Sequence, residues 1–358
     1  GSWSFPSNNA TSSRHTRLLA GTLTAPSNVF AIGGSYTKSG GTFTHGSGTL
    51  KFTAASAQSI TLGNSDAYNL TFDGSGSWSF GDTHATSTNT VRITQCTVTL
   101  PSGTFAVGGS WLNVGGAFTH NSGTVKFNSG DTGEMVEANG SWFANLRFDH
   151  ANGGWTITQN ATSTASTTLA NASSFTVSSG ITLAVSGVFT NSVGGGATTW
   201  TGSTLYLDSG ATSTFNTKTV GGDVYGTLRV GPNTDIKMWN SSATTYDVAA
   251  SGSLYSQDHT ASDGDLYVWG QYVASGNEYW SYATDFDGTA LGGSSRQVDV
   301  RVADTSSLAF SSGTLQILGT TTATTTIANQ GAGTFAFGLS GGTLNAQYYS
   351  VRNTDSAG

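Results

Sequence analysis

The segment Phe30-Ala31-Ile32-Gly33-Gly34-Ser35 returns later in the chain as Phe105-Ala106-Val107-Gly108-Gly109-Ser110, at an offset of 75 in the numbering. On either side of this pair the match continues, so that residues 1–52 align with residues 76–127 without a gap. A chain that repeats itself at a fixed interval is typical of solenoids and other repeat architectures. The repeat therefore decides the fold class before any single motif is considered.

The offset of the repeat grows slowly along the chain. It becomes 76 where Asn69-Leu70-Thr71-Phe72 matches Asn145-Leu146-Arg147-Phe148, and a looser third copy follows through Thr204–Gly210. Within 76–148 nine short runs of β-type residues stand between Gly, Ser and Asn breaks. Nine runs predict three coils of about 25 residues, each with three strands.

These features predict an all-β fold, a right-handed parallel β-helix (β-solenoid) of about 14–15 coils. The alternative is a string of immunoglobulin-like sandwiches, whose strands would be longer. We expect a regular solenoid over 1–230 and a more irregular solenoid, rich in Tyr, Trp and Asp, over 231–358. No stretch of the sequence keeps helical spacing over several turns, so negligible helix is expected.

The strand pattern also predicts which side chains face inward. Residues of opposite faces alternate along a strand, so apolar and polar positions separate. The inward set is expected to comprise Leu50, Phe52, Leu70, Phe72, Val125, Phe127, Leu146 and Phe148. Lys51 and Lys126 are expected to point outward, and Cys96 to be a small buried apolar residue.

Composition excludes several classes of function. Charged residues make up 9% of the chain, against about 25% in a typical soluble domain. The net charge of −7 argues against a nucleic-acid partner, which requires a basic surface. No apolar run is long enough to span a membrane. The single cysteine rules out an internal disulfide, and together these features suit an extracellular or cell-surface protein.

Several stretches resemble segments of very large secreted repeat proteins of candidate-phylum (Patescibacteria-type) bacteria. They are Asp263-Gly-Asp-Leu-Tyr-Val-Trp-Gly270, Ser281-Tyr-Ala-Thr-Asp-Phe-Asp-Gly-Thr-Ala-Leu-Gly-Gly293, Arg296-Gln-Val-Asp-Val-Arg301 and Gly342-Thr-Leu-Asn-Ala-Gln-Tyr-Tyr-Ser-Val-Arg-Asn-Thr-Asp355. The resemblance implies an extracellular, surface-attached or filamentous β-solenoid without catalytic residues.

Chemistry-bearing side chains concentrate in the segment 247–304. A binding surface for a glycan or a partner cell is expected there, formed by Tyr255, Tyr267, Trp269, Tyr272, Tyr279, Trp280 and Tyr282. Oxygen ligands of a Ca²⁺ site are the second interpretation, with Asp263, Asp265, Asp285 and Asp287, although the pattern lacks the remaining ligands of an EF-hand loop. The other acidic residues are scattered, so no enzyme activity and no other cofactor are expected. His45 and His120, at equivalent repeat positions, are expected in turns.

Two functions follow. The first is a structural protein that forms a rod, a filament or a surface layer, and the second is an adhesin that binds through 247–304. The chain begins within a repeat at Gly1 and stops without a polar cap at Gly358, whereas free solenoid ends need capping. The expected partners are therefore other copies of the chain or flanking repeats of a longer polypeptide.

Overall fold

The computed structural model describes residues 1–5, 8–215, 224–231, 234–238, 241–248, 253–257, 266–274, 277–281, 299–302, 304–319, 321, 324–329 and 331–355. Over these residues the protein is all-β, and its one helix is the 3-10 turn Gly195–Ala197. The paired strands are parallel, as in Ala10–Ser12 with Val29–Ile32 and Thr325–Asn329 with Tyr349–Arg352. A parallel β-solenoid is thereby confirmed, and the sandwich alternative, which requires antiparallel sheets, is wrong.

The chain forms two compact units, residues 1–165 with 169–175, and residues 166–168 with 176–358. The boundary predicted near residue 231 lies inside the second unit. The strands up to the end of the first unit are β1 (Ser2–Ser4), β2 (Ala10–Ser12), β3 (Thr16–Leu18), β4 (Thr22–Thr24), β5 (Val29–Ile32), β6 (Tyr36–Lys38), β7 (Thr42–Thr44), β8 (Thr49–Phe52), β9 (Gln58–Thr61), β10 (Asn69–Phe72), β11 (Ser77–Phe80), β12 (Ala85–Ser87), β13 (Val91–Ile93), β14 (Thr97–Thr99), β15 (Thr104–Val107), β16 (Trp111–Asn113), β17 (Ala117–Thr119), β18 (Thr124–Phe127), β19 (Glu134–Glu137), β20 (Trp142–Asp149), β21 (Gly154–Ile157), β22 (Ala161–Asn171) and β23 (Ser174–Val177).

The remaining strands belong to the second unit. They are β24 (Thr182–Val185), β25 (Val188–Asn191), β26 (Thr198–Thr199), β27 (Thr204–Leu207), β28 (Thr212–Phe215), β29 (Val224–Val230), β30 (Asp235–Met238), β31 (Ser241–Val248), β32 (Ser253–Gln257), β33 (Leu266–Ala274), β34 (Asn277–Ser281), β35 (Asp299–Val302), β36 (Ser307–Phe310), β37 (Thr314–Leu318), β38 (Thr325–Asn329), β39 (Ala336–Leu339), β40 (Thr343–Gln347) and β41 (Tyr349–Arg352).

In the first unit one coil advances the residue number by 20 or 21 along most of its length. Leu50 on β8 is paired with Phe30 on β5 and with Leu70 on β10, a step of 20 in either direction. The next step, from Leu70 to Val91, is 21. The longer coil predicted from the sequence is therefore wrong for these coils, although a step of 25 does occur where Trp111 pairs with Val136.

The predicted coil was too long because some strand positions carry only small residues. All nine predicted runs are strands, but β12, with the sequence Ala-Thr-Ser, was missed because it has no large apolar side chain. Residues 1–75 hold ten strands and the isolated bridge of Ala67 with Ser87. These eleven positions, at three per coil, make three and two-thirds coils rather than three.

The repeat is therefore not a whole number of coils, and equivalent strands lie in different sheets. β8 lies between β5 and β10 in a ten-stranded sheet, whereas its repeat equivalent β18 lies between β15 and β20 in a sixteen-stranded sheet. Strands β8, β10, β18 and β20 nonetheless keep their inward faces, since all eight residues predicted to face inward are buried. Lys51 and Lys126 are about one-third exposed, which confirms that they point outward, and each forms an ion pair at the surface.

Aromatic rings fill the interior of the first unit. The rings of Phe52 and Phe72 stack at 5.2 Å, one coil apart, and Phe52 also contacts Trp78 at 4.8 Å. Phe127 and Phe148, the repeat equivalents of the first pair, stack at 4.9 Å. Each coil thus buries its rings against the neighbouring coil, so stability accumulates by nearest-neighbour contact. Cys96 is buried, as predicted.

The coils of the second unit vary in length. The step in residue number is 23 from Leu205 to Leu228 and 18 from there to Tyr246, but 36 from Tyr272 to Leu308. The prediction of 14–15 coils assumed a single coil length throughout the chain, and this assumption fails in both units.

Candidate functional site

Of the seven aromatic residues predicted to bind a glycan, six lie on three strands of the second unit. Tyr255 lies in β32, Tyr267, Trp269 and Tyr272 lie in β33, Tyr279 and Trp280 lie in β34, and Tyr282 lies outside the described residues. Tyr255 and Tyr279 are register partners on adjacent strands. Tyr272 is fully buried with its ring 5.8 Å from that of Phe310, so it belongs to the core rather than to a binding surface.

The predicted Ca²⁺ ligands Asp263, Asp265, Asp285 and Asp287 all lie outside the described residues, and their role stays a prediction. In the part of the chain that the structure describes, no three His, Cys, Asp or Glu side chains gather to hold a metal. The same part contains no helix of the length and apolar character that crossing a membrane requires.

The predicted turn histidines have a shared structural role. Nδ1 of His45 accepts the backbone N–H of Ser47 at 2.9 Å, and Nδ1 of His120 accepts that of Ser122 at 3.0 Å. Ser47 and Ser122 have positive φ angles of 56° and 59°. The two imidazoles therefore stabilise equivalent tight turns, which confirms the turn prediction.

Among the residues whose side chains the structure describes, the largest exposed ring at an edge strand belongs to Trp3 on β1. Its side chain is 58% exposed, whereas its repeat equivalent Trp78 on β11 is 1% exposed. The sequence around the two is the same, Gly-Ser-Trp-Ser-Phe, so the difference has a structural cause. Phe5 follows the same trend, at 37% exposed against 9% for Phe80.

The cause is the number of neighbouring strands. Trp78 is the register partner of Gln58 on β9 and of Val98 on β14, so a coil covers it on each side. Trp3 is paired with Leu23 on β4, and β1 is the edge strand of its three-stranded sheet. The difference in exposure between Trp3 and Trp78 therefore follows from strand pairing on one side rather than on two.

A second open surface lies at the last coil of the second unit. β40 is the edge strand of its six-stranded sheet and pairs with β37. Apolar side chains here are far more exposed than in the interior coils, and they include Leu339, Leu344, Tyr348 and Tyr349. A cavity of about 370 Å³ opens here, lined by Ile317, Phe337, Leu344, Tyr349, Val351 and Thr354.

These two edge surfaces were not predicted as residue sites, although the signal was present. The repeat alignment places Trp3, in the first coil, at the same position as Trp78, which has a coil on either side. Recognising the exposure required the true coil length, because only then is it known which strand covers Trp78.

The fold defines the class of this chain: it is a parallel β-solenoid repeat protein. No protein family model, no curated protein and no solved structure matches it.

Proposed function

We propose that this chain is a structural repeat protein whose edge coils stack onto further coils of the same kind, building an extracellular rod, filament or surface layer. The exposure of Trp3 beside the burial of Trp78 carries this proposal. In the interior, the same pentapeptide is covered by a parallel strand of the solenoid itself. The structure that fits over Trp3 is therefore another parallel strand of the same type.

Stacking would remove two unfavourable features at once. An edge strand presents unpaired N–H and C=O groups that template another strand. Burying the ring of Trp3 would contribute roughly 1.5–3 kcal/mol, the usual value for a large apolar side chain. With 9% of residues charged, electrostatic repulsion between copies is small.

The extracellular location is part of the proposal. It is supported by the low charge and by a fold that contains one buried cysteine and depends on no disulfide. The resemblance to secreted repeat proteins supports the same location.

The test is Trp3→Ser, with Trp142→Ser as a matched control. Trp142 is equally exposed, at 59%, but its strand β20 lies between β18 and β22 and is not an edge strand. Sedimentation velocity over a concentration series and negative-stain microscopy would measure association. We expect end-to-end association of the wild type and of Trp142→Ser, and its loss in Trp3→Ser.

A wild-type chain that stays a monomer of 36.6 kDa at every concentration would contradict stacking between separate copies. Equal loss of association in both variants would show that any exposed tryptophan suffices, and would also count against the edge-strand mechanism.

Adhesion is the second candidate, and one observation favours it. The register pairing of Tyr255 with Tyr279 brings two aromatic positions about 4.8 Å apart along the sheet, the spacing of neighbouring strands. Aromatic side chains supply large contact areas to ligands. A glycan array with wild type and with Tyr255→Ala/Tyr279→Ala would test it, since specific binding lost in the double variant would favour adhesion.

A further inference from the structure

A cleft of about 270 Å³ opens in the first unit where the turn after β2 meets the turn after β5. It is lined by Ser13, Arg14, His15, Gly33, Gly34 and Gln58. These residues come from three successive coils, so the cleft is a product of coil stacking.

The floor of the cleft is bare backbone. A Cβ atom added to Gly34 would lie 2.7 Å from the carbonyl carbon of Arg14 and 2.7 Å from the amide nitrogen of His15. Such contacts are shorter than real Cβ atoms show, so the close approach requires glycine here. The turn carrying Arg14 and His15 is thereby held in place.

The cleft presents hydrogen-bond donors. Nδ1 of His15 accepts the backbone N–H of Ser35 at 2.9 Å, so the proton of the neutral imidazole resides on Nε2, which can donate to a ligand. The carbonyl of Gln58 accepts the hydroxyl of Ser35 at 2.8 Å. Arg14 is exposed and, among the described residues, forms no ion pair.

Charge is strongly segregated along the sequence. Residues 1–65 contain Arg14, Arg17, Lys38 and Lys51 and no acidic residue. All twenty acidic residues lie in 66–358, nine of them within 247–304. A net charge of −7 for the whole chain therefore conceals a basic first region.

The second repeat provides an internal comparison. Asn89, Thr90 and Glu134 stand where the first repeat has Arg14, His15 and Gln58. The framework is retained, because Gly109 packs closely against Asn89 as Gly34 does against Arg14. The hydroxyl of Ser110 also donates to Glu134, at 2.6 Å, as that of Ser35 donates to Gln58. The donors of Arg14 and His15 are thus particular to the first copy and are not needed to build the turn.

We propose that this cleft binds a carboxylate, supplied by a second copy of the chain, whose residues 66–358 contain all of its acidic side chains. The guanidinium of Arg14 offers the paired donors that fit a carboxylate, and Nε2–H of His15 offers another. The charge segregation of the chain favours a second copy as the source. This inference rests on the proposed self-association and adds an electrostatic contact that orients it.

The test replaces the three residues by those of the second repeat, as Arg14→Asn/His15→Thr/Gln58→Glu. Arg17→Glu is the matched control, because it changes the net charge by the same two units and lies on β3, outside the cleft. Thermal unfolding followed by circular dichroism would establish that each variant is folded. We expect the triple variant to weaken association about tenfold at low salt, and the control to have a much smaller effect.

Salt and a competing carboxylate complete the design. Wild-type association should weaken as salt rises, since exposed charges are screened. Sodium glucuronate should compete with it in the wild type and not in the triple variant.

Equal weakening by the triple variant and by Arg17→Glu would overturn the cleft, leaving only general electrostatics. Unchanged association in the triple variant would overturn the second copy as the source of the carboxylate. If the triple variant has in addition lost the glucuronate binding of the wild type, the cleft is assigned to an acidic saccharide. A wild type that does not associate would instead contradict the proposed function.

Discussion

The ammonium group of Lys51 lies 2.5 Å from the carboxylate of Asp73, which follows the neighbouring strand one coil further along. The second repeat contains the same contact, with Lys126 3.1 Å from Asp149. The duplicated sequence thus preserves a contact between coils, not only the strands. It does so although the two pairs lie on different sheets of the solenoid.

This ion pair has a measurable but small expected energy. A double-mutant cycle with Lys51→Met and Asp73→Asn should give a coupling of about 0.5–1 kcal/mol, because both side chains are about one-third exposed. The measurement is chemical unfolding of the four proteins. A coupling above about 2 kcal/mol would require a buried pair and would contradict the geometry described here.

The carboxylate of Asp149 predicts a change of stability with pH. The amide of Asn171, with Lys126 and Arg147, lowers the pKa of Asp149 from 3.8 to about 2. A carboxyl group whose pKa is lower in the folded state stabilises the fold fully above its ordinary pKa. This contribution is lost as the pH falls from about 4 to about 2.

Asp149→Asn should therefore reduce the free energy of unfolding by about 1 kcal/mol at pH 7, with the exposure of the group keeping the value small. The difference from wild type should vanish near pH 2. Urea unfolding at pH 7, 4 and 2 measures it, and a difference that persists undiminished at pH 2 would contradict the assignment.

Burial should make Cys96 unreactive in the folded protein. It raises the pKa of the thiol to about 11, so the reactive thiolate is scarce at neutral pH. At pH 8 we expect a thiol reagent to label Cys96 slowly in native protein and rapidly in denaturant. Fast labelling without denaturant would show that the coil around Cys96 opens.

Coil spacing should make Gly108 intolerant of a side chain. A Cβ at this position would lie 2.2 Å from the carbonyl oxygen of Thr88 in the preceding coil. We expect Gly108→Ala to cost roughly 1–3 kcal/mol, the usual range for overpacking. Gly338→Ala is the control, because nothing lies within 4 Å of its Cβ position. Comparable melting temperatures for the two variants would contradict the close approach of the coils.

The sequence predicted the parallel solenoid and the inward residues because alternation and repetition report local strand geometry. Coil length was mispredicted because it depends on counting every strand, including Ala85–Ser87. Small residues of this kind give no signal in the hydrophobic pattern, and they pair because flanking coils hold them in register.

The aromatic residues of 247–304 illustrate a second limit. Nothing in the sequence distinguishes Tyr272 from the other aromatic residues around it, yet its ring packs in the core against Phe310. A strand containing several tyrosines and tryptophans offers no alternation from which to separate buried rings from exposed rings. The exposure of Trp3 could not be predicted from its local sequence, because the same pentapeptide around Trp78 is buried.

The first unit is built from short coils, with a step of 20 or 21 in residue number along most of its length. The explanation of why Trp78 is covered, and the assembly of the cleft from three successive coils, both depend on this step. Disulfide trapping in a Cys96→Ala background tests it directly. Thr71 and Arg92 are register partners on adjacent strands, about 4.8 Å apart, which suits a disulfide. Thr71→Cys/Arg92→Cys should therefore oxidise readily within one chain, whereas Thr71→Cys/Gln95→Cys, close to the spacing of the longer coil predicted from the sequence, should not. The reverse pattern would contradict the account.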